Sequence, residues 1–414
     1  MFSSARHIFL PFCALALFVS ALAGCSPQAA GVGDAGQASD RGYALTRCTG
    51  QQAVPTRTGT PPASQPAVYA GSVGGKLYAF SPDTGAVRWC NRIMVTGTFP
   101  CPRSCPPPPV AVIGTPLGAQ GVVFVCVSGY GGYTYAFNAR DGSLRWLRKT
   151  DCEVVSIPFV DYALPIEADG VLYTGAYALD AQDGKMLWRL PMEESFGAVV
   201  NGVIYAYSQG AVYAFDAKDR SLRWSYTLDD TIGNVPTVAD GSVYVGDING
   251  NGPSGMTPGL PDTYALDAAT GALRWRYESG MVGGSAVVAN GVVYISGFPC
   301  ALYALDAARG KLRWRYQADT CSSSTPIVIN GVVYFTADGA YAFDASDGTV
   351  RWHTGLGANQ GNRFTSPTVM NGALYLGKID GSGYSTLYAL DASTGAELWH
   401  EEGINQLSPS QAGD

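Results

Sequence analysis

The stretch YALDAATGALRWRY, residues 264–277, decides the fold of this chain because close copies of it recur along the sequence. One such copy, YALDAARGKLRWRY, begins at Tyr303. In eight places a tyrosine is followed by Ala and then by Leu or Phe, and a tryptophan lies eleven residues after that tyrosine. A spacing that is kept eight times indicates an internal repeat. The tyrosines are Tyr78, Tyr135, Tyr177, Tyr213, Tyr264, Tyr303, Tyr341 and Tyr388, and the tryptophans, which are all those of the chain, are Trp89, Trp146, Trp188, Trp224, Trp275, Trp314, Trp352 and Trp399.

Each repeat unit has the pattern of four short strands joined by tight turns. In residues 324–352 the segments STPIVI, VVYFTA, AYAFDA and TVRW alternate apolar with small or polar residues, which is typical of half-buried strands. Asn330-Gly331 and Asp347-Gly348 separate strands and suit turns that need positive φ. The mean spacing of about 44 residues is that of a propeller blade. We therefore predict an all-β fold, an eight-bladed β-propeller of four-stranded antiparallel blades.

The YALDAxTGxxxW pattern resembles the pyrroloquinoline-quinone-like (PQQ-like) propeller repeat, and the resemblance covers residues 67–399. In that family the Ala, Gly and Trp of each unit dock neighbouring blades, which implies a structural, blade-docking role for the eight tryptophans. Ser81 and Asn138 replace the Asp of the first two units, and Arg220 replaces the Gly of the fourth. These departures predict locally looser turns within the same fold.

The C-terminal end of the chain is expected to complete the first blade. The first unit has no evident first strand before PAVYAGS, whereas QLSPSQAGD near the C-terminus resembles FTSPTVMNG of the eighth unit. We predict that residues 405–411 supply the missing strand and that the propeller spans residues 67–414. Such closure buries the face that a lone terminal blade would expose.

The N-terminal residues 1–24 resemble a bacterial lipoprotein signal peptide, with Arg6 near the start, an apolar run and then LAGC ending at Cys25. The resemblance implies cleavage before Cys25 and lipidation of its sulfur, which would anchor the protein in the cell envelope, at an outer membrane facing the periplasm or at the cell surface. The alternative is an ordinary secretory signal followed by an unrelated cysteine. Residues 25–66 are rich in small and polar residues and predict a flexible tether, part of which Cys48 could pin.

Eight cysteines remain after the signal and the lipidation candidate are set aside, and an even count in an exported protein indicates disulfides. Two of them form a Cys-x-x-x-Cys motif, but it lies in a Pro-rich stretch without a nearby histidine, so no metal site is predicted there. The places of four cysteines in the repeat predict the bonds Cys126–Cys152 and Cys300–Cys321. A bond from Cys90 to Cys101 or Cys105 is also expected.

One face of the propeller is expected to carry function. The four strands of each blade are labelled A to D in chain order. In each blade the A–B and C–D turns are short, whereas the B–C and D–A connections contain insertions, chiefly 90–109, 247–261 and 353–364. Binding sites on rigid scaffolds usually lie in such loops. Several D–A connections are acidic and could attract a basic partner, although exposed loops are often charged without any function. These acids are Asp151, Glu153, Glu193, Glu194, Asp229, Asp230, Glu278, Asp319, Glu401 and Glu402.

The composition and the chemistry-bearing residues argue against several functional classes. A net charge of −7 disfavours nucleic acid as a partner. DINGNG at Asp247 resembles the start of a calcium loop, but Pro258 stands where the closing Glu should be, so calcium is not predicted. His353 and His400 directly follow repeat tryptophans, and no Ser-His-Asp arrangement is evident.

Quinone-dependent dehydrogenases of the PQQ-like family hold the quinone between a tryptophan and a disulfide of two adjacent cysteines, beside a calcium ion. This chain has no adjacent cysteines, and each tryptophan belongs to the repeat. We therefore predict no catalytic residue and no cofactor. The chain is also similar to the propeller lipoprotein of the outer-membrane β-barrel assembly machinery, which implies a lipid-anchored scaffold that binds envelope proteins and is monomeric within a complex. The alternatives are a PQQ-dependent dehydrogenase-like protein and a surface lipoprotein that binds a small ligand or a polysaccharide.

Overall fold

The structure is a computed structural model that describes residues 43–48, 66–71, 75–95, 112–128, 132–150, 152, 165–190, 195–208, 210–228, 232–247, 262–280, 284–297, 300–321, 324–357, 363–380, 385–402 and 408–411. Within these ranges the chain forms eight antiparallel sheets, which confirms the predicted eight-bladed β-propeller. No helix in the same ranges is long and apolar enough to cross a membrane.

The first four blades follow one another along the chain, each as an antiparallel sheet. Blade 1 contains β1 (Tyr43–Arg47), β2 (Val68–Gly71), β3 (Lys76–Phe80) and β4 (Val87–Val95). Blade 2 contains β5 (Val112–Ile113), β6 (Leu117–Ala119), β7 (Val122–Ser128), β8 (Tyr133–Asn138) and β9 (Leu144–Lys149). Blade 3 contains β10 (Ile166–Ala168), β11 (Val171–Thr174), β12 (Tyr177–Asp180) and β13 (Met186–Arg189). Blade 4 contains β14 (Ser195–Val200), β15 (Val203–Tyr207), β16 (Ala211–Asp216) and β17 (Leu222–Thr227).

The remaining four blades keep the same order of strands, and the last strand of the chain returns to blade 1. Blade 5 contains β18 (Thr237–Ala239), β19 (Ser242–Gly246), β20 (Asp262–Asp267) and β21 (Leu273–Glu278). Blade 6 contains β22 (Val287–Ala289), β23 (Val292–Gly297), β24 (Ala301–Asp306) and β25 (Leu312–Gln317). Blade 7 contains β26 (Ile327–Ile329), β27 (Val332–Thr336), β28 (Ala340–Asp344) and β29 (Val350–Thr354). Blade 8 contains β30 (Arg363–Phe364), β31 (Thr368–Met370), β32 (Ala373–Ile379), β33 (Ser385–Asp391) and β34 (Glu397–Glu402), and β35 is Ser408–Gln411.

The ring closes through β35. This strand pairs antiparallel with β2, from Val68 opposite Gln411 to Gly71 opposite Ser408. It also contacts β31 of blade 8 and β6 of blade 2, which are the inner strands on either side. The C-terminal end of the chain therefore supplies the inner strand of blade 1, at the position expected for residues 405–411; of that range, residues 405–407 lie outside the described residues.

The prediction of a flexible tether over residues 25–66 is wrong for residues 43–48. β1 pairs antiparallel with β4, from Tyr43 opposite Val95 to Arg47 opposite Asn91, and adds a fifth strand to the outer edge of blade 1. Cys48 is bonded to Cys90 of β4. Composition alone did not reveal this strand because small and polar residues surround its short apolar core.

Neighbouring blades are held together by the repeat tryptophans. The indole N–H of Trp275 donates a 2.8 Å hydrogen bond to the Ala307 carbonyl of the next blade. The ring lies against Gly310, where an added Cβ would come within 2.6 Å of the indole, so only glycine fits there. The same donation links Trp89 to Ala139, Trp146 to Ala181, Trp224 to Ala268, Trp314 to Ala345, Trp352 to Ala392 and, across the closure, Trp399 to Pro82.

A tyrosine hydroxyl reinforces several of these contacts. Tyr294 and Trp314 of blade 6 both donate to the Ala345 carbonyl, at 3.1 Å each. At the closure, Tyr375 donates to the Pro82 carbonyl that Trp399 also uses. Burial raises the pKa of Tyr375 to about 12, so this hydroxyl stays protonated and remains a donor at neutral pH. At these junctions an aromatic core is thus joined to a backbone carbonyl whose hydrogen-bonding capacity is satisfied.

The docking differs at the junction of blades 3 and 4. Arg220 occupies the glycine position of blade 4 with a φ of 65° and therefore places a Cβ where the other blades have none. Trp188 packs edge-on against Phe196, with ring centroids 5.6 Å apart and planes at 78°. Its indole N–H makes no hydrogen bond to any described residue, in contrast to the seven donations above. The replacement of glycine by Arg220 thus coincides with a different packing of Trp188.

The expectation of looser turns at Ser81, Asn138 and Arg220 is wrong for the backbone. Gly85 donates its N–H to the Ser81 carbonyl at 2.9 Å, and Arg220 donates to the Asp216 carbonyl at 2.8 Å. The regular blade 5 turn has the same 2.8 Å bond, from Gly271 to Asp267. The turn is held mainly by backbone hydrogen bonds, so changing its first side chain leaves its shape intact.

The C–D turns of blades 4 to 7 also contain an aspartate that pairs with an arginine of the following strand. In blade 5, Asp267 accepts hydrogen bonds from the Thr270 N–H and hydroxyl, at 2.9 Å each, and from Arg274 at 2.7 Å. These donors lower the pKa of Asp267 to about 2. Asp216, Asp306 and Asp344 pair in the same way with Arg223, Arg313 and Arg351.

Removal of β35 should destabilise the propeller. A chain that ends at Asn405 loses the four-residue pairing with β2, and we expect the free energy of unfolding to fall by at least about 2 kcal/mol, since each backbone hydrogen bond contributes about 1 kcal/mol. Thermal and urea unfolding measure the change. A chain that ends at Gln411 is the control, and equal melting temperatures for the two truncations would contradict closure by β35.

The glycine–tryptophan contact predicts opposite effects at two equivalent turn positions. We expect Gly310→Ala to lower stability by about 2 kcal/mol, because it combines a left-handed backbone with a clash against Trp275. We expect Arg220→Gly to raise stability by about 1 kcal/mol, because it relieves the left-handed strain and lets Trp188 dock. Urea unfolding gives both values. Destabilisation by Arg220→Gly would show that Arg220 makes a contact worth more than the docked indole.

Candidate functional site

The B–C and D–A connections lie on one face of the propeller, called here the loop-rich face, and the A–B and C–D turns form the opposite, turn-rich face. The turns of the turn-rich face are occupied by the tryptophan docking and by aspartate–arginine pairs. The longer connections of the loop-rich face lie mostly outside the described residues. The strand ends that carry those connections are described, and they define the candidate site.

A belt of hydrogen bonds joins the inner ends of blades 5 to 8 on the loop-rich face. Asn234 of blade 5 is buried, accepts the N–H of Gly246 at 2.9 Å and donates to the Gly284 carbonyl of blade 6 at 3.2 Å. The Ser285 N–H then donates to the hydroxyl of Thr325 in blade 7. The N–H of Thr325 donates in turn to the hydroxyl of Ser366 in blade 8 at 2.8 Å.

The belt works as a spacer between blades and has no room for a larger side chain. An added Cβ at Gly284 would come within 2.7 Å of the Ser324 carbonyl group. In a second link between blades 7 and 8, the buried hydroxyl of Thr336 donates to the Thr365 carbonyl at 2.8 Å. Buried polar groups that are paired in this way stabilise one arrangement of their neighbours. The belt therefore holds the bases of the blade 5 to blade 8 loops at fixed separations.

The longest B–C insertion of the chain, residues 248–261, is anchored by a buried carboxylate. Asp247, which is only 2% exposed, accepts the N–H of Asp262 at 2.8 Å and the hydroxyl of Tyr264 at 3.1 Å. The Asp247 N–H donates to the Asp262 carbonyl at 3.1 Å. Asp262 also lies 3.7 Å from Arg276 of the outer strand. These contacts join the two ends of the insertion at its base.

Asp247 therefore has a structural role that the calcium-loop comparison did not anticipate. Both of its carboxylate oxygens accept hydrogen bonds from the protein, whereas a calcium ligand must present oxygens to the ion. The other residues of the segment that resembles a calcium loop, up to Pro258, lie outside the described residues. Among the described residues, no group of three or more His, Cys, Asp and Glu is placed to hold a metal ion.

Blade 7 carries an aromatic cluster on the loop-rich face. His353 stacks on Tyr341, with centroids 4.0 Å apart and planes at 6°. The Tyr341 hydroxyl donates to Asp338 at 2.7 Å, and the His353 ring lies 3.8 Å from the same carboxylate. Burial first, and then hydrogen bonds to Asp338 and Tyr316, raise the pKa of Tyr341, so its hydroxyl is a fixed donor at neutral pH.

In other blades, too, a basic residue on strand D lies against the repeat tyrosine on strand C. Arg189 lies 5.0 Å from the Tyr177 ring centroid, Arg315 lies 5.8 Å from that of Tyr303, and His400 lies 5.7 Å from that of Tyr388. The residue after each repeat tryptophan is thus opposite the repeat tyrosine. His353 therefore follows the packing rule of the repeat, and this position favours a structural role for it.

His400 is bound to its own strand rather than to a pocket. Its Nδ1 lies 2.6 Å from Glu397 on β34, and its Nε2 lies 3.8 Å from Glu402. The hydrogen bond to Glu397, followed by nearby negative charge, raises the pKa of His400. Of the acidic residues noted in the D–A connections, Glu278, Asp319, Glu401 and Glu402 are described; Glu401 is half-buried and the other three are exposed.

Among the described residues, three disulfides lie within blades 1, 2 and 6. The structure contains Cys126–Cys152 and Cys300–Cys321, with Cα atoms 6.1 Å and 4.0 Å apart. The expected bond of Cys90 to Cys101 or Cys105 is wrong, because Cys90 is bonded to Cys48, with Cα atoms 5.5 Å apart. Cys101 and Cys105 themselves lie outside the described residues, as do Cys25 and the signal residues 1–24.

Two features of the site, the Cys48–Cys90 bond and the hydrogen-bond belt, were not predicted, although the sequence contained partial signals for both. Cys48 was available as a partner for Cys90, but pairing by closeness along the chain favoured Cys101 and Cys105. Asn234, Ser285, Thr325 and Ser366 all stand just before a strand A. Their positions, two or three residues before strand A, could have indicated the belt, although not which residue bonds to which.

The fold and the docking tryptophans define this protein as an all-β, PQQ-like propeller. The chain belongs to the family whose model, PQQ_2, is described as outer membrane protein assembly factor BamB; the model matches residues 42–150, 109–194, 173–256 and 262–402. No curated protein matches the chain.

Solved structures show the same fold at low sequence identity. BamB from Moraxella catarrhalis is 17% identical, with a TM-score of 0.53, over 77% of this chain and 92% of that one. The dihydro-heme d1 dehydrogenase NirN is 12% identical, with a TM-score of 0.60, over 83% and 74%. The quinohemoprotein alcohol dehydrogenase from Comamonas testosteroni is 15% identical, with a TM-score of 0.51, over 70% and 67%. At these identities the likeness shows the fold alone.

The anchor at Asp247 predicts a measurable defect. We expect Asp247→Ala to lower the free energy of unfolding by about 1–3 kcal/mol, because it leaves the Asp262 N–H and the Tyr264 hydroxyl buried without their acceptor. Hydrogen exchange should show faster exchange at Asp262. Asp319→Ala, at an exposed position of blade 6 with an ordinary backbone conformation, is the control. Equal stability of the two variants would contradict the anchoring role.

Proposed function

We propose that this protein is a non-catalytic, lipid-anchored scaffold of the cell envelope that binds partner proteins and takes part in outer-membrane protein assembly. The observation that carries the proposal is the match to the BamB family model, which extends through residues 42–402. The description of that family names an assembly factor rather than an enzyme. In this proposal Cys25 carries the lipid, and the propeller lies on the periplasmic side of the outer membrane.

The positions of the chemistry-bearing residues support a binding role. Seven tryptophans donate to carbonyls of neighbouring blades, and Trp188 packs between aromatic rings. His353 and His400 are held against tyrosines of their own blades. The described cysteines are bonded in pairs. Because these side chains already serve the fold, the proposal includes neither PQQ nor calcium as a cofactor.

The two faces of the propeller differ in a way that suits a scaffold. Short turns on the turn-rich face are occupied by blade docking, whereas the loop-rich face has insertions whose bases are fixed by the belt and by Asp247. A rigid base that presents variable loops is the usual arrangement for protein recognition. We therefore assign partner binding to the loop-rich face, with the insertion 248–261 as its principal element.

Crosslinking in native membranes tests the proposal. The tagged protein is crosslinked, purified and analysed for co-purified proteins and for bound quinone. We expect enrichment of proteins that insert or fold outer-membrane β-barrels, and we expect this enrichment to fall when residues 249–260 are replaced by a short Gly-Ser linker. The linker variant should keep its melting temperature, which separates lost binding from lost folding.

The control variant carries Lys218→Ala and Lys311→Ala, which are exposed substitutions on the turn-rich face. We expect this variant to retain the partners. Recovery of bound quinone with electron-transfer proteins, and without assembly proteins, would overturn the scaffold assignment and favour a dehydrogenase-like role.

A further inference from the structure

The direction of β1 shows at which face of the propeller the segment between Cys25 and Tyr43, called here the leash, joins the blade. β4 begins at Val87, just after the C–D turn of blade 1, and therefore runs from the turn-rich face to the loop-rich face. β1 is antiparallel to it, with Tyr43 opposite Val95 and Arg47 opposite Asn91. Tyr43 consequently lies at the loop-rich end of the blade. The chain that leads back to Cys25 must leave from that end.

The opposite end of β1 is fixed at the turn-rich face. The Arg47 guanidinium donates a 2.7 Å hydrogen bond to the carbonyl of Asp141, in the C–D turn of blade 2. The Cys48 N–H donates to the Cys90 carbonyl at 3.3 Å, and a disulfide joins the same two residues. Leu45, opposite Ile93, packs on the core between blades 1 and 2. Backbone pairing, a covalent bond and apolar packing thus all hold this strand.

Without β1, the attachment point would move to the other face. The next described strand is β2, whose first residue, Val68, is opposite Phe80. Phe80 directly precedes the C–D turn that begins at Ser81, so Val68 lies at the turn-rich end of the blade. A propeller attached through Val68 would be held by its turn-rich face, whereas one attached through Tyr43 is held by its loop-rich face.

The strand also sets the maximum length of the leash. Between Cys25 and Tyr43 the chain can span at most about 65 Å, because an extended residue covers at most about 3.6 Å. Between Cys25 and Val68 the same limit is about 150 Å. Docking of β1 therefore more than halves the reach of the propeller from a lipid attached at Cys25.

We propose that β1 and the Cys48–Cys90 disulfide act as a clamp, which fixes the attachment point of the leash at the loop-rich end of blade 1. The clamp thereby turns the loop-rich face towards the membrane that carries the lipid anchor. This inference rests on the proposed lipidation of Cys25. The partner that the loop-rich face binds is then the membrane-proximal part of a protein held in the same membrane, because Tyr43 stays within about 65 Å of Cys25. Soluble partners approaching from the distant side would meet the turn-rich face.

Energy transfer from the propeller to a membrane dye tests the clamp. The full, lipidated protein is reconstituted into phosphatidylethanolamine–phosphatidylglycerol vesicles that contain an acceptor lipid. A donor fluorophore is attached through a non-canonical amino acid at Asp319 or at Lys311, which are exposed on the loop-rich and turn-rich ends of the same blade. We expect greater transfer from position 319 than from position 311. Equal transfer, or greater transfer from position 311, would overturn the proposal.

A released variant provides the second arm. Cys48→Ser, Cys90→Ser and Leu45→Asp together remove the disulfide and the apolar contact of β1, and hydrogen exchange at residues 43–47 reports the release. We expect the ratio of transfer efficiencies to invert in this variant. Cys126→Ser with Cys152→Ser, which removes a disulfide of blade 2, should keep the wild-type ratio. An unchanged ratio after verified release of β1 would overturn the role of the clamp.

Flotation of the vesicles separates this proposal from the one it rests on. Wild-type protein should float with the vesicles, and Cys25→Ala should not. Failure of the wild type to float would overturn the lipid anchor and the clamp together. Flotation with equal transfer from both positions would overturn the clamp alone and leave the scaffold proposal in place.

Discussion

The contact between an indole and the next blade is the interaction on which the rest of this structure depends. In most blades it combines a buried tryptophan, a glycine with no room for a Cβ, and a backbone carbonyl that accepts the indole N–H. A single four-stranded sheet leaves two apolar faces exposed, so each blade needs a neighbour on both sides. The bond from Trp399 to Pro82, together with β35, extends this requirement around the whole ring.

The docking contact also explains why the two faces of the propeller differ. It occupies the C–D turns, whose length and conformation are therefore nearly constant, and leaves the B–C and D–A connections free to vary. The one departure from glycine in these turns, Arg220, occurs at the junction where Trp188 packs on Phe196 and donates to no described carbonyl. On the variable face, buried groups such as Asp247 and Asn234 hold the strand ends in place. Binding can then evolve in the loops without disturbing the ring.

Features of the candidate site were predicted correctly from the sequence where all the residues involved belong to one repeat unit. Cys300 and Cys321 lie within one repeat unit and are bonded in the structure. Cys90 was assigned to a nearby cysteine, whereas its partner is Cys48, from a segment with no repeat pattern. Similarly, Asp247 was compared with a calcium ligand because its neighbours in sequence are Asn and Gly. Its hydrogen bonds come from Asp262 and Tyr264, beyond the insertion.

The sequence by itself determined the number of blades, the strands within each blade and the sets of residues that dock them. These follow from a local pattern repeated eight times, since alternation and turn residues act over a few positions. Only the tertiary structure decided that Tyr43–Arg47 is a strand, that Cys48 pairs with Cys90, and that a hydrogen-bond belt joins blades 5 to 8. These features depend on residues 40 or more positions apart, whose approach is set by the closed ring rather than by any local preference.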